Sequence, residues 1–248
     1  RAYELAGIYR EKGIHTVLGG THASMMPEEA AKYVDTVVVG EAEGIWPEVI
    51  KDYEAGKIKR LYEAERLPLN PPIPRRDLFN SGYIQSLIQT TRGCPMDCEF
   101  CSVTAFNGRK YRFRPVDEIV KELKSINRQR VFFVDDNIIG HTNASKDHAK
   151  DLFETMIREK IKVSWYSQTD MTFGKDPEMV KLAAKSGCRM VLIGFESEKA
   201  EELKNMRKSI NTDMKLKYRK YLRNIHREGI MVMGTFIFGL DSDNVRDL

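Results

Sequence analysis

The sequence predicts an α/β chain in two parts, a short half-domain followed by a partial (β/α) barrel, and three observations carry that reading. Short apolar runs alternate with amphipathic stretches along the chain, the pattern of a parallel sheet covered by helices. Four of the nine prolines, Pro68, Pro71, Pro72 and Pro74, fall within seven positions. Proline fixes φ and has no N–H, so the chain divides into 1–63, a linker 64–80 and 81–248. Beyond the linker the rhythm lengthens to five β/α units in about 165 residues, most of a barrel whose last unit lies past Leu248.

In chain order, Leu5, Ile8 and Tyr9 line one face of a helix that Gly13 stops. A strand over 15–20 ends in Gly19 and Gly20, a helix covers 27–33, and a second apolar strand covers 34–40. Ile45, Val49, Ile50 and Tyr53 share one side of a helix over 43–55. After the linker come strands at 83–90, 131–134, 163–168, 190–195 and 230–238. Between them lie helix faces Val116/Ile119/Val120/Leu123/Ile126 and Ala149/Leu152/Phe153/Met156/Ile157. A third helix is capped by Asp176, with Pro177 in its first turn and Gly187 beyond its end. A fourth face is Met214/Tyr218/Leu222/Ile225, closed by Gly229.

Composition narrows the class. Apolar residues make up 42% and charged residues 31%, ordinary for a globular protein. No run of 18 apolar residues occurs, so no segment reads as a membrane-spanning helix, and a cytoplasmic location is expected. The net charge of +4 is spread along the chain and gives no reason to expect nucleic acid. The first residue, Arg1, sits inside a helical pattern, and 243–248 reads as the start of another helix, so the chain reads as a fragment cut at both ends.

Three of the four cysteines, Cys94, Cys98 and Cys101, fall within eight positions, and Cys188 lies 87 residues further on. That clustering favours metal binding over disulfides. Soft thiolates suit iron–sulfur clusters, and the single C-x3-C-x2-C run fills three corners of a four-iron cluster. The alternative is a zinc site completed by Cys188 or a histidine, although zinc motifs usually come as paired hooks.

The segment Thr90-Thr-Arg-Gly-Cys94-Pro-Met-Asp-Cys98-Glu-Phe-Cys101, directly after the first barrel strand, resembles the radical S-adenosylmethionine superfamily. Phe100 occupies the aromatic position before that family's last cysteine. The resemblance implies a [4Fe–4S] cluster whose open iron chelates S-adenosylmethionine and cleaves it reductively to methionine and a 5′-deoxyadenosyl radical. Gly194-Phe-Glu196-Ser197 resembles the family's ribose-binding turn, implying a role for Glu196 and Ser197. By the same resemblance, Asp136 stands where many members bind the cofactor's amino group, and Gln168 ends the next strand. Ile237 and Phe238 fall in a segment similar to the adenine-contacting one, with its first glycine shifted. Arg109, Lys110, Arg112 and Arg114 either neutralise the cofactor carboxylate or solvate a loop.

The N-terminal piece resembles the C-terminal half of the flavodoxin-like (Rossmann-like) cobalamin-binding domain fused to many such enzymes. Gly19, Gly20 and Gly40 would let a flat cofactor approach the backbone. The cobalt-ligating D-x-H-x-x-G segment does not occur, and His22 is not that ligand; a half-domain without cofactor is the alternative. The expected activity is cobalamin-linked methylation, cyclisation or rearrangement of a small molecule or lipid, with flavodoxin or ferredoxin as electron donor. The competing readings are a tRNA or protein methylthiotransferase and a non-catalytic Fe–S binding protein.

Overall fold

The computed structural model describes all residues except 66–67, 81, 127–128, 209, 212–216, 241–242 and 244–248. Met214 of the fourth helix face, and all but Asp243 of the expected last helix, lie outside the described residues. The chain forms two compact units, Arg1–Pro72 and Ile73–Leu248.

The N-terminal unit is a three-stranded parallel sheet in the order β1 (Val17–Leu18), β2 (Thr36–Val39), β3 (Leu61–Glu63). Successive strand residues face opposite sides, and β2 shows it: Val37 packs with Ala6, Ala23, Ala30 and Val34, whereas Val38 packs with Val49 and Tyr62. Helices α1 (Ala2–Glu11), α2 (Thr21–Met25) and α3 (Pro27–Ala30) supply the three alanines of the first set. Helix α4 (Ala42–Glu54) brings Val49 to the second. The strand expected over 15–20 shrinks to two residues. The Asp35 carboxylate takes the Thr16 N–H and hydroxyl at 2.9 and 2.8 Å, so the ladder starts only at Val17. The expected 27–33 helix likewise stops at Ala30 and passes into turns.

The C-terminal unit holds a five-stranded parallel sheet in strict chain order. Its strands are β4 (Ser86–Ile88), β7 (Arg130–Phe133), β8 (Ser164–Thr169), β9 (Cys188–Glu196) and β10 (Met231–Phe236). Helices α6 (Val116–Ser125), α7 (Asn143–Arg158), α8 (Pro177–Lys185) and α10 (Tyr218–Arg227) connect them, with short helices α5 (Val103–Phe106) before α6 and α9 (Ala200–Asn205) before α10. Sequential parallel strands with helical crossovers are the building pattern of a (β/α) barrel, here open at β4 and β10 among the described residues. One sheet face is sealed: Val131, Phe133, Trp165, Val191 and Ile193 are fully buried against Ile119, Leu152, Phe153, Val180 and Ile225 of the helices. Each large side chain so buried contributes roughly 2–3 kcal/mol. The other face is the barrel interior, where half-buried Phe132 and Tyr166 stack at 4.6 Å.

The strand expected over 83–90 is shorter for a reason that matters to the site. Thr90 and Thr91 give their N–H groups to the buried Asp135 carboxylate at 2.7 and 2.6 Å instead of to a neighbouring strand. The chain then turns into an antiparallel ribbon, β5 (Thr91–Arg92) with β6 (Arg112–Phe113), which closes the loop carrying the cysteines. Arg114, expected at the cofactor or in solvent, is instead buried and ion-paired to Glu122, which also holds Arg76.

Candidate functional site

The loop 93–111 is tied down at several points. Cys94 N–H donates to the Gly108 carbonyl at 3.2 Å, Cys101 N–H to Cys98 at 3.1 Å, and Glu99 N–H to Met206 at 3.1 Å. Asp97 takes Arg109 at 2.6 Å and Arg207 at 3.1 Å, which holds its carboxyl below the usual range. So fixed, the loop turns Cys94, Cys98 and Cys101 into one cavity of about 260 Å³ at the C-terminal ends of the strands. Phe100, Asp136, Gln168 and Glu196 line the same cavity. Burial raises the Cys94 and Cys98 thiol pKa values, and the Lys208 ammonium opposes this at Cys98.

Glu196 is the most constrained of these residues. It ends β9 with φ 65°, in the left-handed region that a non-glycine residue avoids. The register against β10 slips there, Gly194 pairing with Thr235 and Glu196 with Phe236. The carboxylate folds back over Gly194, where a Cβ would lie 2.1 Å from Oε1, so only glycine leaves it room. Buried Asn211 clamps the strand end, donating to the Gly194 and Phe195 carbonyls at 2.8 and 3.0 Å. Lys208 Nζ donates to Glu196 Oε1 at 2.9 Å and lies 5.6 Å from the centre of the Phe100 ring.

The adjacent aspartates after β7 divide their work. Asp135 is fully buried and accepts three hydrogen bonds from Thr90 and Thr91; burial outweighs them and pushes its carboxyl up to about 6. Asp136 faces the cavity, accepting from Asn107 Nδ2 at 3.1 Å and Gly93 N–H at 3.3 Å, with its pKa raised by burial. Asn137 knots the next turn to Asp170 at 2.7 Å, and both reach the cavity.

Three expected residues do not line the cavity. The Ser197 hydroxyl accepts from the Lys199 N–H at 3.1 Å in a local turn. Ile237 N–H donates to the Glu196 carbonyl at 2.8 Å, and Phe238 is exposed. Sequence reasoning missed Asn137, Asp170 and Lys208, which line the cavity, and Asn211, which holds the end of β9. Cys188 is buried in the core at the start of β9, the opposite end from Glu196, so it cannot complete a site with the other three cysteines. No histidine lines the cavity among the described residues. No three Cys, His, Asp or Glu side chains among them converge on a single-ion position either: the thiols share a cavity rather than a point.

In the N-terminal unit, Gly20 and Gly40 follow the parallel neighbours β1 and β2, with φ 92° and 87°. A Cβ at Gly20 would meet nothing within 4 Å, and one at Gly40 would lie 3.0 Å from the Ala64 carbonyl. Gly19 has ordinary space against Val38. This unit's own cavity, lined by Arg10, Glu11, His15 and Asp35 among others, includes none of the three glycines. His22 bonds Tyr3 at 2.9 Å and Glu29 at 3.2 Å.

Comparison with known proteins agrees with this layout. The Radical SAM superfamily profile matches residues 88–248. Bacteriochlorophyllide d C-12(1)-methyltransferase of Chlorobaculum tepidum is 32% identical, covering 98% of this chain and 55% of its own length. Hopanoid C-2 methylase of Rhodopseudomonas palustris is 30% identical over 91% of this chain and 44% of its own. The chain thus spans about half the length of the curated relatives it matches. Among solved structures, the radical S-adenosylmethionine methyltransferase TsrM of Kitasatospora setae, with cobalamin and a [4Fe–4S] cluster bound, has the same fold. Its TM-score is 0.79 at 20% identity, over 99% of this chain and 53% of that one. The cobalamin-dependent enzyme OxsB gives 0.75 at 17%, over 94% and 38%. The chain belongs to the radical S-adenosylmethionine superfamily, whose cofactors are a [4Fe–4S] cluster and S-adenosylmethionine.

Proposed function

We propose that this chain carries the cluster-binding core of a cobalamin-linked methyltransferase acting on a small molecule or lipid. The observation that carries the reading is one cavity shared by three thiols and a partly buried Glu196–Lys208 pair. The donor set fits the cofactor: three soft sulfurs on a pinned loop leave one corner of a four-iron cluster for a substrate-like ligand. When bound, that cluster supplies the electron that cleaves S-adenosylmethionine to methionine and a 5′-deoxyadenosyl radical.

The chain's own residues then position and neutralise. Cys94, Cys98 and Cys101 hold iron, and Phe100 covers the cavity beside Lys208. Glu196, held in place by Lys208 and Asn211, accepts from ribose hydroxyls, with Ser197 beside it. Asp136 and Gln168 accept from the amino group, and Ile237 and Phe238, which follow β10, take the adenine. In domain terms, 1–63 is the half-domain, 64–80 the linker and 81–248 the core. Gly19, Gly20 and Gly40 form the cobalamin approach, at the C-terminal strand ends where open α/β sheets take ligands. The relatives named above as a methyltransferase and a methylase support methyl transfer over cyclisation or rearrangement. Flavodoxin or ferredoxin is the electron donor in this reading, and the location cytoplasmic; no helix among the described residues is long and apolar enough to cross a membrane.

The test is anaerobic reconstitution with iron and sulfide, followed by S-adenosylmethionine and reductant. 5′-Deoxyadenosine and methionine are expected; a fully loaded cluster that leaves the nucleoside intact would overturn the catalytic reading in favour of a binding protein. Cys98→Ala should lose the brown chromophore entirely, and its retention would overturn the ligand assignment.

A further inference from the structure

One cavity neighbour has no part in the proposed function. Tyr111 stands at the end of the cysteine loop, immediately before β6, with its hydroxyl 4.0 Å from Cys94 Sγ. Among the described residues that sulfur is the hydroxyl's one hydrogen-bond partner. The ring has a fixed berth. Phe113 lies 6.2 Å away and His141 meets it edge-on at 6.1 Å. At Gly140 a Cβ would come within 3.0 Å of ring Cε2 and 2.4 Å of Ser145 Oγ, so the glycine is what lets the ring sit there.

A free thiol and a phenol can each donate to the other. A cysteine on iron is a thiolate without a proton, so the direction becomes fixed: the phenol donates and the sulfur accepts. Hydrogen bonds to cluster sulfurs, with burial and net charge, set the reduction potential of an iron–sulfur centre. Reduction adds negative charge that spreads onto the ligand sulfurs, so a donor there stabilises the reduced state more than the oxidised one.

We propose that Tyr111 is a positioning residue that holds the cluster's midpoint potential up by donating its O–H to the Cys94 sulfur. The inference rests on the reading that Cys94, Cys98 and Cys101 hold the cluster. It needs no substrate, and it concerns the cluster's electron uptake rather than cofactor binding.

The test is a redox titration of the reconstituted protein, followed by electron paramagnetic resonance, for wild type and two variants of matched iron and sulfide content. Tyr111→Phe removes the donor and keeps the ring. Its midpoint should fall by at least a tenfold change in the reduction equilibrium, about 59 mV for one electron. Placing 3-fluorotyrosine at position 111 keeps the shape and strengthens the donor, and its midpoint should rise. Opposite displacements of the two variants support the inference. Midpoints that coincide with wild type, or that move in the same direction, overturn it. Should Tyr111→Phe fail to assemble a cluster, the fluorotyrosine protein decides alone, an unmoved or lowered midpoint overturning the proposal. Wild type that takes up no iron would instead overturn the reading of the three cysteines, a result separable from the others by iron content.

Discussion

The two units treat polar groups in opposite ways. Among the described residues, the C-terminal unit buries five Asp, Glu or Arg side chains, Arg114, Glu122, Asp135, Glu196 and Glu202, whereas the N-terminal unit buries none. Burying a charge costs several kcal/mol unless it is paired and hydrogen-bonded. Such groups persist only where the fold supplies partners, and here most of the described partners cluster around the cysteine loop and its supports. Asp135 closes the ribbon that carries the loop, Glu122 anchors the strand–helix junction beyond it, and Glu196 faces the cavity. The N-terminal unit instead offers bare backbone at Gly20 and Gly40. One unit is a fixed polar construction; the other is an apolar sheet with positive-φ glycines after two of its strands.

The comparison breaks most visibly at Glu122. Its carboxylate faces two guanidinium groups, Arg76 and Arg114, with side-chain exposures of 15% and 1%. Three of their nitrogens already lack other partners among the described residues. Glu122→Ala therefore leaves two cations unpaired in the interior, a loss of about 3–5 kcal/mol. Urea unfolding followed by circular dichroism should show the midpoint fall accordingly. A loss below about 1 kcal/mol would place the network on the level of a surface ion pair.

Asp135 sharpens the contrast through pH. Its carboxyl titrates near 6 in the fold against an ordinary 3.8, because desolvation outweighs three hydrogen bonds. The folded chain thus holds this proton more tightly than the unfolded chain. The stabilisation is full below about 4 and is lost as pH rises through about 6, roughly 3 kcal/mol in all. Between pH 5 and pH 7.5 the wild-type protein should lose about 1–2 kcal/mol relative to Asp135→Asn, which does not titrate. Parallel stability curves for the two proteins would mean that the hydrogen bonds, not burial, govern this carboxyl.

Most of the C-terminal unit was legible because its helices and strands bury one face each. The stripe Ile119/Val120/Leu123 and the cap Asp176–Pro177 fall where periodicity and capping put them. Legibility failed where a side chain competes with a ladder. Nothing in the period-2 pattern of 83–90 says that Asp135, 45 residues on, takes the Thr90 N–H and ends the strand. The cysteines and Phe100 stood out by their spacing and family resemblance, and Asp136, Gln168 and Glu196 by their places at strand ends; all of them line the one cavity. Lys208 and Asn211 did not, since they come from beyond α9 (Ala200–Asn205) and reach Glu196 and its strand end only through tertiary packing.

The smallest effect belongs to the N-terminal unit, and it tests whether bare backbone there serves a ligand. Gly20 combines φ 92° with ψ −175°, a region open essentially to glycine alone. Its missing Cβ faces open space, so Gly20→Ala loses no packing and strains only the backbone, by about 1–2 kcal/mol. Gly19→Ala, with an ordinary backbone and a Cβ 3.5 Å from the Val38 carbonyl, should change stability by no more than about 1 kcal/mol. Visible-absorbance titration with cobalamin then separates strain from contact. If the strand ends are the approach surface, Gly20→Ala weakens binding at least tenfold at a temperature where it remains folded, while Gly19→Ala changes it less. Equal binding by wild type and Gly20→Ala would show that no flat ligand lies against this backbone, and the N-terminal unit would then be scaffold alone.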